Sequence, residues 1–392
     1  MSLVPSGDRG PQRYFPEVES LRGVAIALVF LYHVAGFVDG TRGQRLGLVV
    51  SPLRAFVHGG QTGVSLFFVL SAFLLSLPFL AESAGNVRVN RRRYYERRAL
   101  RILPLYWTAV MATSVAQAHR PTDVLRGAPY LFFLNSLPAF NRTLAPLNAP
   151  WWSLATEVQF YLLLPLLPSA LGSRRGRYAA AVGLLGYVAV YVAFLRGALV
   201  AESIEWRIVL AHSVFGRAPV FAAGILVAGL FHRFGDRMQR WCSQQPLVRA
   251  GGADAMFLAL LVGLGCLLRQ VVFHGYWEME LAAQAWHVLE GVLWGAVLFL
   301  LLVAPVRIKP LFANRPLAMI GLLSYSIYLV HVPLLYLSLK PLYFPEPGTF
   351  AGWHWTDVAR IAALAAACLA VSTMTYRVIE RPFLVRKAKI GR

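Results

Sequence analysis

The sequence predicts an all-α membrane protein, a polytopic bundle of about ten transmembrane helices. Of the 392 residues, 57% are hydrophobic and 14% are charged, whereas soluble domains average roughly 45–50% apolar and about 25% charged residues. Apolar runs long enough to cross a bilayer recur ten times. A chain of this kind buries one helical bundle, so we predict a single domain over residues 1–392. The predicted spans are 22–38, 62–80, 102–118, 152–170, 178–195, 209–231, 254–273, 286–304, 317–338 and 358–378.

The distribution of basic residues predicts that both termini are cytoplasmic. The polar N-terminal segment, residues 1–18, lacks the apolar region of a signal peptide, so the first apolar run should be retained as a helix. With the N-terminus inside, the cytoplasmic segments hold 26 of the 38 Lys and Arg residues and the outer loops hold 9. This bias follows the positive-inside rule. It places a short basic tail, 379–392, in the cytoplasm and predicts a multi-pass protein of the cell membrane.

The net charge of +20 is explained by these arginine-rich cytoplasmic loops and does not indicate a nucleic-acid partner. The cysteines, Cys242, Cys266 and Cys368, are far apart and indicate neither a metal site nor disulfides. No phosphate-binding Walker loop, dinucleotide fingerprint, zinc-protease motif or nucleophile elbow is present. Their absence argues against ATP-driven transport and against a serine hydrolase of the usual folds. We expect no bound cofactor and no metal.

The first apolar run contains two ionisable residues, Arg22 at its start and His33 eleven residues later. Eleven steps of about 100° bring both side chains to one helix face, with a rise of about 16 Å between them. Arg22 thus lies near the cytoplasmic surface and His33 well inside the membrane. His33 is a candidate general base or proton relay because imidazole titrates near neutral pH. The alternative is a structural histidine, hydrogen-bonded within the bundle.

Other ionisable residues are predicted at membrane depth, and such residues are functional candidates. Glu157 follows a tryptophan pair at the outer surface and could orient His33, or it could pair with an arginine such as Arg217. His331 reaches the same outer depth, and Tyr328 lies one turn before it. These two residues either line a cavity or pack in the bundle.

The basic loop before the third span ends with Arg98 and Arg101, three residues apart on one helix face. Most arginine clusters of this kind have no role beyond keeping the loop in the cytoplasm. Two guanidinium groups at this end of a helix would also suit a phosphorylated ligand that arrives from the cytosol. Arg22 is predicted at the same level.

Six stretches taken together resemble the motifs of the acyltransferase-3 family of integral-membrane acyltransferases. The first has an arginine, ten residues and a histidine, here Arg22 to His33, and the third is the basic motif that ends at Arg101-Ile-Leu-Pro-Leu-Tyr106. The resemblance covers nearly the whole chain. The six stretches are 19–33, 63–73, 97–106, 152–161, 324–331 and 379–383.

This resemblance implies transfer of an acyl group, commonly acetyl, from acyl-CoA to a hydroxyl of a glycan, a lipid-linked sugar or a glycosylated small molecule. It implies His33 as the base and Arg98 and Arg101 as donor-binding residues. From the helix positions we add Arg22 to the donor site, and we expect Glu157 to orient His33 or the acceptor. The remaining candidates for acceptor contacts or supporting roles are Tyr161, Arg217, Tyr328 and His331.

The sequence departs from the family pattern at two positions. Ser65 stands where the second motif usually has aspartate, and Ala72 where it usually has glycine. Glu157 is the predicted replacement for that carboxylate. A proton-coupled transporter of a polar or lipid-linked solute is the alternative function, because buried His, Glu and Arg residues also suit proton relays.

Overall fold

The computed structural model describes residues 15–46, 52–137, 139–140, 144, 147–196, 209–274, 285–343 and 355–390, and these residues form helices and turns without a β-strand. The all-α prediction is confirmed. The helices are α1 (Pro16–Leu46), α2 (Pro52–His58), α3 (Thr62–Ser83), α4 (Arg91–Gln117), α5 (Ala128–Leu131), α6 (Trp152–Leu163), α7 (Leu167–Leu171), α8 (Arg174–Leu195), α9 (Val214–Gln244), α10 (Ala253–His274), α11 (Trp286–Val303), α12 (Lys309–Phe312), α13 (Arg315–Tyr343), α14 (Trp355–Thr375) and α15 (Arg381–Lys389).

Within the described part of the chain, ten segments are long and apolar enough to cross a membrane, one for each predicted span. Several extend beyond the predicted ends. The third begins at Arg91, and the sixth continues to Gln244. Polar residues at these ends can still form helix turns beyond the hydrocarbon core, where hydropathy no longer marks the helix. The segment before residue 15 lies outside the described residues.

Helices α1, α3, α9, α11 and α13 form the centre of the bundle, and their most extensive contacts are α1 with α13 and α9 with α3 and α11. The spans that contain α8 and α14 are the least buried. Their exposed apolar side chains suit a lipid-facing position. Buried polar groups should therefore concentrate in the five central helices.

Helices α1 and α13 run in the same direction and approach closely through glycine. A Cβ atom on Gly23 would overlap the Leu317 carbonyl oxygen, and one on Gly321 would overlap the Glu19 carbonyl. Small residues permit this backbone approach in membrane bundles. The parallel packing agrees with the outward direction predicted for both helices, and it sets the register of the residues that follow each glycine.

The region 379–392, predicted as a tail, is helical as far as Lys389. A π-helical turn at Tyr376–Glu380 leads from α14 into α15, which packs against α4. Buried Glu380 forms an ion pair with Arg101 of α4. This contact holds α15 at the end of the bundle where α1, α4 and α13 carry their basic residues, which we call the basic end.

Candidate active site

The close packing of α1 and α13 brings His33 and His331 together. Each lies ten residues beyond the glycine of its helix, and the imidazole centroids are 4.9 Å apart. His331 Nε2 lies 3.3 Å from His33 Nδ1. His331 is fully buried and His33 is half-buried. The sequence placed both residues at the outer depth but did not pair them.

The backbone determines which nitrogen of each imidazole carries the proton. His331 Nδ1 lies 3.0 Å from the Ile327 carbonyl, and His33 Nδ1 lies 2.8 Å from the Val29 carbonyl. A carbonyl only accepts hydrogen bonds, so both neutral rings carry the proton on Nδ1. His331 Nε2 then accepts from His33 Nδ1–H. His33 Nε2 keeps its lone pair, and no described residue bonds to it.

A cavity opens from the basic end toward this histidine pair. Its empty volume is about 830 Å³, including the space at its mouth. Arg22, Arg98 and Arg101 line it, as do Glu157, Tyr161 and Tyr328. The structure therefore brings six of the predicted site residues to one cavity. His33 and His331 do not line it. The Tyr328 ring is the link, since its centroid lies 5.9 Å from that of His331, one turn further along α13.

The three arginines of the cavity are in different electrostatic situations. Arg22 donates to Ser324 Oγ at 3.1 Å and lies 3.8 Å from Glu19. Arg101 bonds to Glu380, whose other oxygen accepts a hydrogen bond from Ser326. Arg101 thus has a structural counter-ion that the sequence did not reveal.

Arg98 differs from these two arginines. Its guanidinium lies 5.9 Å from the centre of the Tyr161 ring. Its buried Nε atom has no hydrogen-bond partner among the described residues. A buried, unsatisfied donor calls for an explanation. An anion in the cavity would supply the missing acceptor.

The predicted contact between Glu157 and His33 is absent from the structure. Glu157 Oε1 accepts a hydrogen bond of 2.6 Å from Ser71, and Glu157 also interacts with Tyr161. These contacts hold the carboxylate in the wall of the cavity, toward α3. His331 is the side chain that orients His33. His33 and Glu157 were predicted at the same depth in the membrane. Equal depth does not mean that α1 and α6 turn these two side chains toward each other.

Tyr328 is held by the chain that enters α6. Its hydroxyl donates to the Pro150 carbonyl and lies 2.6 Å from Ser153 Oγ. The ring therefore stands between α6 and the histidine pair as a firmly positioned wall.

Arg217 belongs to a second polar cluster, which links α3, α9 and α11. Its Nη1 atom lies 2.8 Å from His287 Nδ1, and that nitrogen lies 2.9 Å from Glu290 Oε2. Ser65 Oγ donates to the same carboxylate oxygen at 2.8 Å. All four side chains are buried. Arg217 thus contacts His287. The alternative prediction, in which Arg217 pairs with Glu157, is not what the structure shows.

His287 and Glu290 were not predicted as site residues from the sequence. The available signal was the one that singled out His33, namely ionisable residues inside an apolar run. Their spacing of three residues also places them on one helix face. Within the described residues, no group of three or more His, Cys, Asp or Glu side chains could hold a metal ion.

The family profile described as "Acyltransferase domain", that of acyltransferase-3, matches residues 15–377. The chain belongs to the acyltransferase-3 family. Membership makes the protein an acyltransferase, and the ten apolar helices within its described residues are those of a multi-pass membrane protein. No solved structure matches this chain.

Curated relatives are similar at low identity. BcsY of Komagataeibacter xylinus, whose name describes a membrane-bound transacylase, is 24% identical over 96% of this chain and 85% of its own length. The peptidoglycan O-acetyltransferase OatA of Listeria monocytogenes is 22% identical over 95% of this chain. This chain covers 56% of that protein's length. The O-acetyltransferase OatA of Staphylococcus aureus is 26% identical over 40% of this chain and 25% of its own length.

In this acyltransferase Ser65 replaces the aspartate of the second family motif, and its contacts explain how a serine fits there. The family motif would bring an aspartate to this position of α3, and the carboxylate of Glu290 reaches the same place from α11. A serine there can donate to Glu290, whereas a second buried carboxylate would repel it. Glu290, rather than Glu157, thus supplies the acidic group next to this position.

Proposed function

We propose that this acyltransferase moves an acetyl group from acetyl-CoA to a hydroxyl of a carbohydrate or glycosylated acceptor, with His33 as the general base. The observation that carries the proposal is the contact between His33 Nδ1 and His331 Nε2, one helix turn beyond a cavity lined by three arginines. This arrangement offers a proton acceptor at one end and an anion-binding wall at the other.

The donor enters from the basic end. Its phosphates bind Arg98 and Arg22, because guanidinium groups form strong bidentate hydrogen bonds to phosphate. Arg101, already bonded to Glu380, adds positive charge. The pantetheine arm extends through the cavity, and the thioester reaches His33 past the ring of Tyr328. The rise of about 16 Å from Arg22 to His33 suits an extended arm of this kind.

Transfer requires one proton acceptor and one attacking oxygen. His33 Nε2 takes the proton of the acceptor hydroxyl as its oxygen attacks the thioester carbonyl carbon. The new C–O bond forms, the C–S bond breaks, and the proton passes from His33 to the departing thiolate to give free CoA. The hydrogen bond to His331 keeps His33 Nδ1 protonated, so that Nε2 is the basic atom throughout.

The acceptor class rests on the relatives, two of which are named as O-acetyltransferases, one of them acting on peptidoglycan. A glycan, a lipid-linked sugar and a glycosylated small molecule all present the hydroxyl that this step needs. The lipid bilayer surrounds the bundle, and the proposed location is the cell membrane.

The test uses the purified protein in lipid nanodiscs with acetyl-labelled acetyl-CoA and a panel of the three acceptor classes. We expect labelled acetyl to appear on an acceptor hydroxyl and one CoA thiol to be released per transfer. A proton-coupled transporter would show no acceptor-dependent release of CoA. Absence of transfer to every acceptor, with acetyl-CoA intact, would contradict the proposal.

The donor site has its own matched pair of variants. Arg98→Ala should raise KM for acetyl-CoA roughly ten- to a hundredfold, because charge-assisted hydrogen bonds are worth about 1.5–3 kcal/mol. Arg92→Ala is the control, since Arg92 lies on the same helix but is highly exposed and pairs with Glu96. Equal KM values for the two variants would remove Arg98 from the donor site.

A further inference from the structure

Helix α15 carries a lysine on the face that packs against the bundle. Its half-buried residues are Phe383, Leu384 and Lys387, whereas Arg386 and Lys389 are exposed. The half-buried set follows the three- and four-residue spacing of a packed helix face. A position that helical periodicity assigns to an apolar side chain is thus occupied by a cation.

Helix α15 packs against α4, the helix that carries Arg98 and Arg101. These two arginines and Arg22 lie near enough to Lys387 to act on its charge. Three carboxylates accompany these four charges among the described residues, since Glu380 bonds to Arg101, Glu19 lies near Arg22 and Glu157 lines the same cavity. The cluster therefore keeps a net positive charge. Like charges gathered in a partly buried place repel one another unless an anion or water lies between them.

A second observation indicates that the missing component is a ligand. Arg98 has an unsatisfied buried Nε donor and also lines the cavity. The orphaned donor therefore lies on α4, the helix against which α15 and its lysine pack. An anion with several oxygen atoms, such as a phosphate, would satisfy the donor and neutralise the cluster at once.

We infer that α15 is part of the donor site and that Lys387 binds the phosphate end of a nucleotide thioester together with Arg98. This inference rests on the proposed function and adds a binding residue to it. The ion pair between Arg101 and Glu380 holds α15 against α4, and Lys387 lies on the half-buried face of α15. Lysine acts there as a compact point charge, and the arginine supplies the planar, directional contact.

The experiment compares Lys387→Ala with Lys389→Ala, a matched control on the exposed face of the same helix. The full-length protein in phosphatidylcholine nanodiscs is titrated calorimetrically with CoA, and its turnover is measured with acetyl-pantetheine, a donor that lacks the nucleotide phosphates. Lys387→Ala should weaken CoA binding about tenfold and leave turnover of acetyl-pantetheine unchanged. Lys389→Ala should leave both unchanged, and Lys387→Arg should retain CoA binding.

Three other outcomes would each contradict either the role of Lys387 or the proposed donor. Equal CoA affinity for Lys387→Ala and Lys389→Ala would remove Lys387 from the site and leave the proposed donor intact. A wild-type protein that binds no CoA would overturn the proposed donor, and this inference with it. Slower turnover of acetyl-pantetheine by Lys387→Ala would indicate structural damage in place of phosphate binding.

The phosphate could also belong to a lipid headgroup. A second set of titrations therefore uses nanodiscs that contain phosphatidylglycerol. If Lys387→Ala changes only the binding of this anionic lipid and never that of CoA, the nucleotide assignment is overturned. If CoA binding depends on Lys387 in both kinds of nanodisc, the nucleotide assignment stands.

Discussion

Replacement of His331 by leucine should slow acetyl transfer without weakening donor binding. The substitution removes the acceptor of the 3.3 Å contact from His33 Nδ1 and the 4.9 Å ring contact. A neutral hydrogen bond is worth about 0.5–1.5 kcal/mol, and an aromatic pair about the same. Part of the hydrogen-bond energy is retained, because the Val29 carbonyl still accepts from His33 Nδ1. A net loss near 1.4 kcal/mol corresponds to a fall in kcat of about tenfold.

The assay is acetyl transfer by purified protein in nanodiscs, with kcat and KM measured separately. KM for acetyl-CoA should be unchanged, because His331 does not line the cavity. His331→Gln should recover part of the loss, since a glutamine oxygen can accept from His33. Leu337→Ala is the control, because Leu337 is exposed on the same helix.

Two results would refute this reasoning about His331. If His331→Leu lost as much activity as His33→Ala, the base would have to be assigned to His331. If it lost none, the paired geometry would have no catalytic consequence. Removal of a general base typically costs about 10²- to 10⁴-fold, so a tenfold effect is separable from both outcomes.

Two further predictions concern packing and charge. Gly23→Ala should lower the free energy of unfolding by about 1–3 kcal/mol, measured by denaturant titration in detergent, because its methyl group meets a backbone carbonyl of α13. Gly36→Ala is the control on the same helix, where no atom would lie within 4 Å of the new methyl group, and an equal loss there would contradict the packing account. Ser65→Asp should destabilise the protein by about 3 kcal/mol, because it places a second buried carboxylate against Glu290. Glu290→Gln in the same chain should restore the unfolding midpoint, and failure to do so would show that charge repulsion is not the cause.

The helices were predictable because hydropathy and length are local properties of the sequence. The direction of each helix and the depth of its ionisable residues followed from the same local reasoning. This placed His33 and His331 at one level on two helices that run in parallel. Depth does not specify which helices are neighbours around the bundle axis, so their contact was not predicted.

The same limit explains the incorrect pairing of Glu157 with His33. Both lie at suitable depth, yet Glu157 is bonded to Ser71 of α3, and His331 occupies the place predicted for it. Arg101 shows a related limit. Its helical spacing put it on one face with Arg98, but its counter-ion, Glu380, lies almost at the other end of the chain. Tertiary contacts of this kind leave no local signal.

The role of His33 as base is the central claim, and its most direct test is chemical rescue. Acetyl transfer by His33→Ala is measured with and without imidazole in the buffer, at matched amounts of folded protein. We expect a loss of at least about 10²-fold and partial recovery with imidazole, because the free ring can enter the vacated site and accept the proton. Transfer by His33→Ala at a near wild-type rate without imidazole would contradict the claim.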